Sequence, residues 1–207
     1  MGSLVLMKFL KMKNKIRLSI LTSHFNDING LVQTWHSIES QISDDWEWII
    51  VDSYTNQFFS KIPKELLSNK KIKIYQIKSS IYDAMNFAIL KTTTNYFHFL
   101  NCGSTYISRK SVKKINSVLN QIEYKEKCIH SFSMVIHINP SRYYLQIPDK
   151  NLYPFRSGHE STIFPSSKNN KILIRSHKGI VADMIFMLEY SFYFPLKTHK
   201  IKFINYP

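Results

Sequence analysis

Hydrophobic and polar residues follow two alternating patterns over the first 120 positions. Short apolar runs bounded by turn residues predict buried strands at residues 17–23, 46–52, 72–77 and 96–100. Between them, apolar residues recur at steps of three and four, which predicts helices at residues 29–41, 58–68, 81–90 and 108–121. Strands that alternate with helices are typical of an α/β fold with a mostly parallel sheet.

Polar residues concentrate where the predicted strands end. In a parallel sheet, ligands bind beyond the carboxyl ends of the strands. This rule points to four polar segments, residues 22–26, 52–56, 79–86 and 101–106. We therefore expect a ligand crevice at this edge of the sheet.

The pattern changes after residue 127. Residues 128–138 and 142–147 resemble strands, residues 148–176 are rich in loop formers, and a helix at 181–190 precedes a strand at 200–204. We expect one domain over residues 17–207, with a nucleotide-binding half at 17–125. The second half, 126–207, is expected to cover the sheet and supply a second pocket.

The charge balance narrows the choice of partners. The chain of 207 residues carries 28 Lys plus Arg against 14 Asp plus Glu, a formal net charge of +14. Such a surface attracts nucleic acid, anionic lipid or a nucleotide. Residues 1–16 form a basic lead-in, interrupted too often by lysine to span a bilayer. Peripheral contact with an anionic membrane and a plain solvated lead-in both fit this segment.

The absence of several well-known motifs excludes several classes of function. The sequence has no phosphate loop, no GxGxxG, no HExxH and no GxSxG. Its two cysteines, Cys102 and Cys128, form neither a CxxC pair nor a disulfide framework, which favours the reducing cytoplasm.

Six segments together resemble the family 2 glycosyltransferases of the GT-A fold, which transfer a sugar from a nucleotide diphosphate donor. They are LSILTSHFNDINGLVQTWHSIESQ at 18–41, WEWIIVDSYTNQ at 46–57, IYDAMNFAI at 81–89, FLNCGSTY at 99–106, GHESTIF at 158–164 and VADMIFMLEY at 181–190. The resemblance implies a Rossmann-like, mostly parallel sheet flanked by helices, with a smaller acceptor-side region at the C-terminal end.

The resemblance also implies roles for residues that bind the donor. Asp52 matches the aspartate that accepts hydrogen bonds from the nucleoside, although an aspartate is also common in a turn. Thr22 and Asn26 match the loop that contacts base and ribose, and Asn26 could instead cap the next helix. Asp83 and Asn86 lie one helical turn apart and can both face the crevice.

The turn at FLNCGSTY departs from the family pattern. Relatives have a carboxylate there that binds Mn²⁺ or Mg²⁺, whereas this chain has Asn101 and Ser104 with no carboxylate between them. Three explanations stay open: basic groups replace the metal, a carboxylate elsewhere holds it, or the chain is a degenerate relative. Asn101 and Ser104 can still hydrogen-bond a sugar or phosphate.

The catalytic residues implied by the resemblance lie in the second half of the chain. Asp183 matches the base that takes a proton from the acceptor hydroxyl in an inverting transfer. Its apolar neighbours are expected to raise its pKa, and a plain helix-start aspartate is the alternative. His159 and Glu160 match a His-Gln pair, so Glu160 is a second departure from the family.

Three functions therefore compete. The leading one is a cytoplasmic enzyme, either free or peripheral on the inner face of the membrane, that transfers a sugar from a UDP-type donor to a glycan or lipid-linked acceptor of a bacterial surface polysaccharide. The second is a nucleic-acid-binding protein, for which the net charge is the main argument, while Asp52 and Asp83 oppose it. The third is an inactive relative that acts as a partner subunit.

Overall fold

Four parallel strands form one half of the central sheet in the computed structural model, which describes residues 18–120, 127–139, 141–155, 157–166 and 172–206. They lie in the order β3, β2, β1, β4. Their bounds are Leu18–His24 for β1, Trp46–Asp52 for β2, Ile72–Gln76 for β3 and Tyr96–Phe99 for β4. The basic lead-in at 1–16 lies outside the described residues.

Six α-helices connect or follow these strands among the described residues. They are α1 (Ile28–Glu39), α2 (Phe58–Lys61), α3 (Lys64–Ser68), α4 (Ile81–Lys91), α5 (Ser111–Asn120) and α6 (Ala182–Tyr193). The helix expected at 58–68 is divided into α2 and α3 at Pro63, because proline disfavours helical backbone in the residue before it.

The second half of the chain extends the same sheet. Its strands are β5 (Thr105–Tyr106), β6 (Ile129–Asn139), β7 (Arg142–Gln146), β8 (Thr162–Pro165) and β9 (Leu196–Tyr206). β8 pairs antiparallel with β4, β6 follows β8, and β9 follows β6. The expectation that this half covers the sheet is met only by α6, which packs on one face of it, since the strands of this half pair edge to edge with the first half.

Alternate residues of β1 and β2 face two separate cores. Leu18 and Ile20 of β1, with Trp48 of β2, point to the side covered by α1, α2, α3 and α5. Leu21 and Ile49 point to the other side, which is covered by α4 and α6. The period of two in a strand produces this division, and it decides where each polar residue near a strand end points.

Among the described residues, no helix is long and apolar enough to cross a membrane.

Candidate functional site

A cavity of about 350 Å³ opens at the carboxyl edge of β1 and β2. It is lined by Ser23, His24, Phe25, Ser53, Ser79, Ser80 and Ile81. The last two belong to the start of α4, so the cavity lies where two parallel strands and a helix N-terminus converge. The buried hydroxyl of Ser23 has no hydrogen-bond partner among the described residues, which leaves a polar group in the wall for a ligand.

A buried hydrogen bond between a histidine and an aspartate lies beside this cavity. His24 Nδ1 is 2.6 Å from Asp52 Oδ1, and both side chains have 0% exposed surface. The two residues are register partners at the ends of β1 and β2, which is why their side chains meet. The backbone N–H of Asp27 donates to His24 Nε2 at 3.2 Å, so the proton of the neutral ring lies on Nδ1 and is donated to Asp52.

Asp52 is fully occupied by protein donors. Its carboxylate also accepts from Thr55 N at 2.7 Å, Thr55 Oγ1 at 2.6 Å and Gln76 Nε2 at 2.9 Å. Burial alone would raise the pKa of Asp52, but the hydrogen bonds from Thr55, His24 and Gln76 outweigh it and lower the pKa. In this structure the carboxylate therefore fixes the loop after β2 and does not face the crevice.

Thr22 and Asn26 lie in different environments. The Thr22 hydroxyl is fully buried, donates to the carbonyl of Leu100 at 2.6 Å and accepts from Trp48 Nε1 at 2.8 Å. Asn26 is exposed, with φ of 54°, and its backbone N–H donates to Thr55 Oγ1. Asn26 does not cap α1, because that cap is formed by the side chain of Asp27.

The two polar residues predicted on α4 make contacts within the protein, one at the start of the helix and one with the segment before α6. Asp83 is exposed, accepts from Ser80 Oγ at 2.6 Å, and donates its own N–H to that hydroxyl, so Ser80 is the N-cap of α4. Asn86 bonds both backbone groups of Ile174, donating to its carbonyl at 2.8 Å and accepting from its N–H at 2.7 Å. Asn86 thereby fixes the segment before α6 against α4.

A buried carboxylate accepts hydrogen bonds from the turn after β4 and so fixes its conformation. Glu160 Oε1 accepts from the N–H of Asn101 at 2.8 Å and from Ser104 Oγ at 2.9 Å, and Glu160 is only 3% exposed. Burial raises the pKa of Glu160 above its ordinary value, although His159, Asn101 and Ser104 oppose this shift. Glu160 thus braces the turn and does not project into the crevice.

A chain of three side chains crosses the crevice beside this turn. Asp183 Oδ2 lies 3.1 Å from His159 Nδ1, and His159 Nε2 lies 3.2 Å from Asn101 Nδ2. An amide nitrogen can only donate, so His159 accepts on Nε2 and donates its Nδ1 proton to Asp183. The resemblance assigned Asp183 and His159 to catalysis and Asn101 to donor binding, and the structure brings all three together.

The pKa of Asp183 moves opposite to the sequence expectation. Burial by itself would raise the pKa, but hydrogen bonds from His159 and from Met184 N lower it. The expectation of a raised pKa, based on apolar neighbours, is therefore wrong. Asp183 retains 26% side-chain exposure, so an ionised carboxylate faces the open site.

Helix α4 connects the cavity to this chain. Ile81 lines the cavity, and the pKa of the next residue, Tyr82, is raised by burial and by the negative charge of Asp183. The cavity and the carboxylate of Asp183 thus flank the first turn of α4. This arrangement suits a two-part ligand, with one part in the cavity and a reacting part near Asp183 and His159.

Several residues of the site were missed by sequence reasoning. His24, Thr55 and Gln76 hold Asp52, and Ser23 lines the cavity. His24 stands at the end of an apolar strand with the parity of Leu18 and Ile20, a signal that it faces the same side as Asp52. Nothing in the sequence indicated Gln76, because its contact depends on the pairing of β2 with β3.

The described residues offer no metal-ligand cluster. No group of three or more His, Cys, Asp or Glu side chains in this part of the chain is placed to hold an ion. The turn at 101–104 has no carboxylate, and Cys102 is an unsuitable ligand because burial and the nearby Asp27 raise its pKa to about 12.

Comparisons with known proteins find solved structures of similar fold. No protein-family model matches the chain, and no curated protein matches it. S. aureus TarS 1-349 aligns with a TM-score of 0.73 at 11% identity, covering 92% of this chain and 60% of that one. The same protein in complex with UDP-GlcNAc aligns with a TM-score of 0.72 at 12% identity, over 92% of this chain and 58% of that one.

A second protein has a similar fold. The mannosyltransferase PcManGT from Pyrobaculum calidifontis, in complex with GDP-Man and Mn²⁺, aligns with a TM-score of 0.66 at 9% identity, over 92% of this chain and 57% of that one. This chain thus spans about 60% of the length of the TarS chain it matches. At these identities the likeness shows the fold, and it confirms the predicted α/β architecture with a central sheet flanked by helices.

Proposed function

We propose that this protein is a glycosyltransferase that takes a sugar from a nucleotide diphosphate donor, in the manner of family 2. The observation that carries the proposal is the cavity beside β1 and β2, next to the Asp183–His159–Asn101 chain on the same edge of the sheet. Support comes from the fold, which is shared with proteins solved in complex with UDP-GlcNAc and GDP-Man. The donor proposed here is a UDP-sugar.

The nucleoside is placed in the cavity. Phe25, which is 62% exposed, can stack on a nucleobase, and the Ser23 hydroxyl can bond its edge. Asp52 and Thr22 keep their predicted place at the donor site, but act by fixing the loops that carry these side chains. Asn26 lies on the same loop.

The diphosphate is placed at the start of α4. The N-terminal amides of that helix favour an anion, and the hydroxyls of Ser79 and Ser80 line the cavity beside them. Asp83 and Asn86 set the position of this helix through the contacts described above. Asn101 and Ser104 shape the turn where the sugar would lie.

The reaction assigned to this site is an inverting transfer. Asp183 accepts the proton of the acceptor hydroxyl as its oxygen bonds to the anomeric carbon. The bond from that carbon to the diphosphate oxygen breaks, and the nucleotide diphosphate leaves with the electron pair. His159 orients Asp183 and holds Asn101. A glycan or lipid-linked acceptor of a bacterial surface polysaccharide, such as lipopolysaccharide or capsule, completes the proposal.

A divalent cation does not fit the described residues. The mannosyltransferase was solved with Mn²⁺, but Glu160, whose carboxylate contacts the turn, is buried and accepts from Asn101 and Ser104. Mg²⁺ and Mn²⁺ favour several oxygen ligands including carboxylates. We therefore assign the neutralisation of the leaving diphosphate to the N-terminal amides of α4.

Titration with UDP tests the donor site. UDP should bind in EDTA and in Mn²⁺ with similar affinity. Phe25→Ala should weaken binding about 10-fold through lost stacking, whereas Phe59→Ala, another half-exposed phenylalanine outside the cavity, should not. Affinity that requires Mn²⁺ would refute the metal-free assignment alone. Absence of UDP binding under both conditions would refute the glycosyltransferase.

The release of UDP from UDP-GlcNAc in water tests the chemistry without a known acceptor. Asp183→Asn should lower this rate at least about 100-fold while UDP affinity stays the same. Glu65→Gln, which removes an exposed carboxylate on α3, is the matched control. Equal rates in Asp183→Asn and the parent protein would contradict the assigned base.

An inactive relative acting as a partner subunit is the second candidate. The observation that favours it is the turn at 101–104, which has no carboxylate while Glu160 braces it from beneath. UDP binding with no release of UDP from any tested nucleotide sugar would favour this candidate. Salt-sensitive binding of random oligonucleotides in place of UDP would favour the nucleic-acid alternative.

A further inference from the structure

Helix α6 is apolar on both of its faces. Its inner face is buried through Ala182, Phe186, Met187 and Tyr190. On the opposite side, Val181, Ile185, Leu188 and Phe192 follow one another at steps of four, three and four, so they form a single line along the helix. We call this line the outer stripe.

The outer stripe is exposed to solvent. Val181 is 45% exposed, Leu188 is 36% exposed and Phe192 is 83% exposed, and Tyr193 beside the stripe is 64% exposed. Soluble proteins normally turn a polar face of a surface helix outward. A contiguous apolar line on a helix whose other face is already packed therefore indicates a surface that is covered in use.

The charges around the stripe indicate what covers it. Lys178 precedes α6 and Lys197 follows it, and both are exposed. Arg175 also precedes the helix and pairs with Glu189 at 2.5 Å, which neutralises the one glutamate of α6. An apolar line with cations at its ends and exposed aromatic residues at one end is typical of a helix that lies in a membrane interface.

We propose that the outer stripe of α6 docks on an anionic lipid bilayer, with the helix parallel to the membrane plane. The net charge of +14 complements the negative surface of such a membrane. Apolar side chains enter the boundary between headgroups and acyl chains, while Lys178 and Lys197 remain among the headgroups. This surface is different from the basic lead-in.

The location of the stripe ties it to the candidate site. Asp183 is the second residue of α6, which has 12 residues and is therefore about 18 Å long. Because the helix lies parallel to the membrane, docking through α6 would hold Asp183 within about one helix diameter, roughly 10–12 Å, of the surface. This part rests on the proposed function, since it places Asp183 where the hydroxyl of a lipid-linked acceptor can reach it.

Sedimentation with lipid vesicles tests the proposal. The full chain should bind vesicles of phosphatidylglycerol and phosphatidylcholine more tightly than vesicles of phosphatidylcholine alone. The double variant Leu188→Ser, Phe192→Ser should reduce the partition coefficient about 10- to 100-fold. The matched control is Phe59→Ser, Leu67→Ser, which removes two similarly exposed side chains from α2 and α3 and should bind like the parent.

Further measurements check that the double variant is folded and that the stripe itself enters the bilayer. Far-UV circular dichroism and UDP titration should be the same in parent and double variant, which separates this test from the donor-site proposal. The added indole in Phe192→Trp should shift its emission to the blue on anionic vesicles. Unchanged vesicle binding of the double variant, or equal loss in the control, would overturn the proposal. Dimerisation through the outer stripe would also overturn it. That outcome would appear as a dimer of the parent protein that the double variant dissociates and the control variant does not.

Discussion

Replacement of Asp52 by alanine should destabilise the protein strongly. The carboxylate has no exposed surface and accepts from His24 Nδ1 at 2.6 Å, from Thr55 N at 2.7 Å and from Gln76 Nε2 at 2.9 Å. Its removal leaves these donors buried without an acceptor. Each buried donor left without an acceptor costs about 1–3 kcal/mol, so three such donors together should cost at least about 3 kcal/mol, a large fraction of the about 5–15 kcal/mol that stabilises a typical domain.

Urea unfolding followed by tryptophan fluorescence measures this cost. Trp48 is a suitable reporter because it is fully buried on the same face of β2. Asp52→Asn keeps one acceptor oxygen and should cost less, about 1–3 kcal/mol. The control is Asp44→Ala, which removes an 85%-exposed carboxylate paired with Lys71 and should change the unfolding free energy by less than about 1 kcal/mol.

The pH dependence gives the same reasoning a second test. Because hydrogen bonds lower the pKa of Asp52 in the folded protein, its stabilising effect is present above the unfolded value of 3.8 and is lost as the pH falls through the folded pKa. Asp52→Asn should lack this part of the acid dependence. An unfolding free energy of Asp52→Ala equal to that of Asp44→Ala would refute the reasoning and leave Asp52 available to a ligand.

Three other changes have defined outcomes. Burial lowers the folded-state pKa of His98 to about 4 and that of His130 to about 3, so the unfolding free energy should fall by up to about 1.4 kcal/mol per pH unit for each below 6.5. Constant stability between about pH 7 and about pH 5 would contradict this. Glu160→Gln should raise stability at neutral pH, because burial raises the carboxyl pKa and the charged form is the costly one. The gain should vanish below pH 4.5 in the same urea titrations. Asn86→Ala should lose about 1–3 kcal/mol and speed amide exchange at Ile174, and unchanged exchange there would count against the contact.

The alternating strands and helices of the first half were predictable because their hydrophobic patterns continue over long segments. The strand expected at 46–52 is β2 with the same bounds, and the helix expected at 81–90 is one residue longer. The strand β8 was missed inside a segment read as loop, since four residues are too few to display a period. Its place in the sheet depends on antiparallel pairing with β4, which no local pattern shows.

The sequence also indicated which side of the sheet Asp52 faces. Trp46, Trp48, Ile50 and Asp52 share one parity, so an aspartate in that series must face the core of its apolar neighbours. Thr22 follows Ile20 in the same way. The partner of Asp52 could not be predicted, because His24 reaches it only through the register of β1 with β2.

The placement of the carboxylates predicts two different effects of mutation at this site, loss of stability and loss of reaction rate. Asp52 and Glu160 are buried and satisfied by protein donors, and Asp83 accepts from Ser80, whose hydroxyl caps α4. Asp183 is the partly exposed carboxylate that contacts His159. Loss of Asp52 should therefore act on folding and, through the loops, on donor affinity. Loss of Asp183 should act on the rate while the fold and the donor affinity persist, so the two variants compared in one set of titrations distinguish a residue that shapes the site from one that reacts in it.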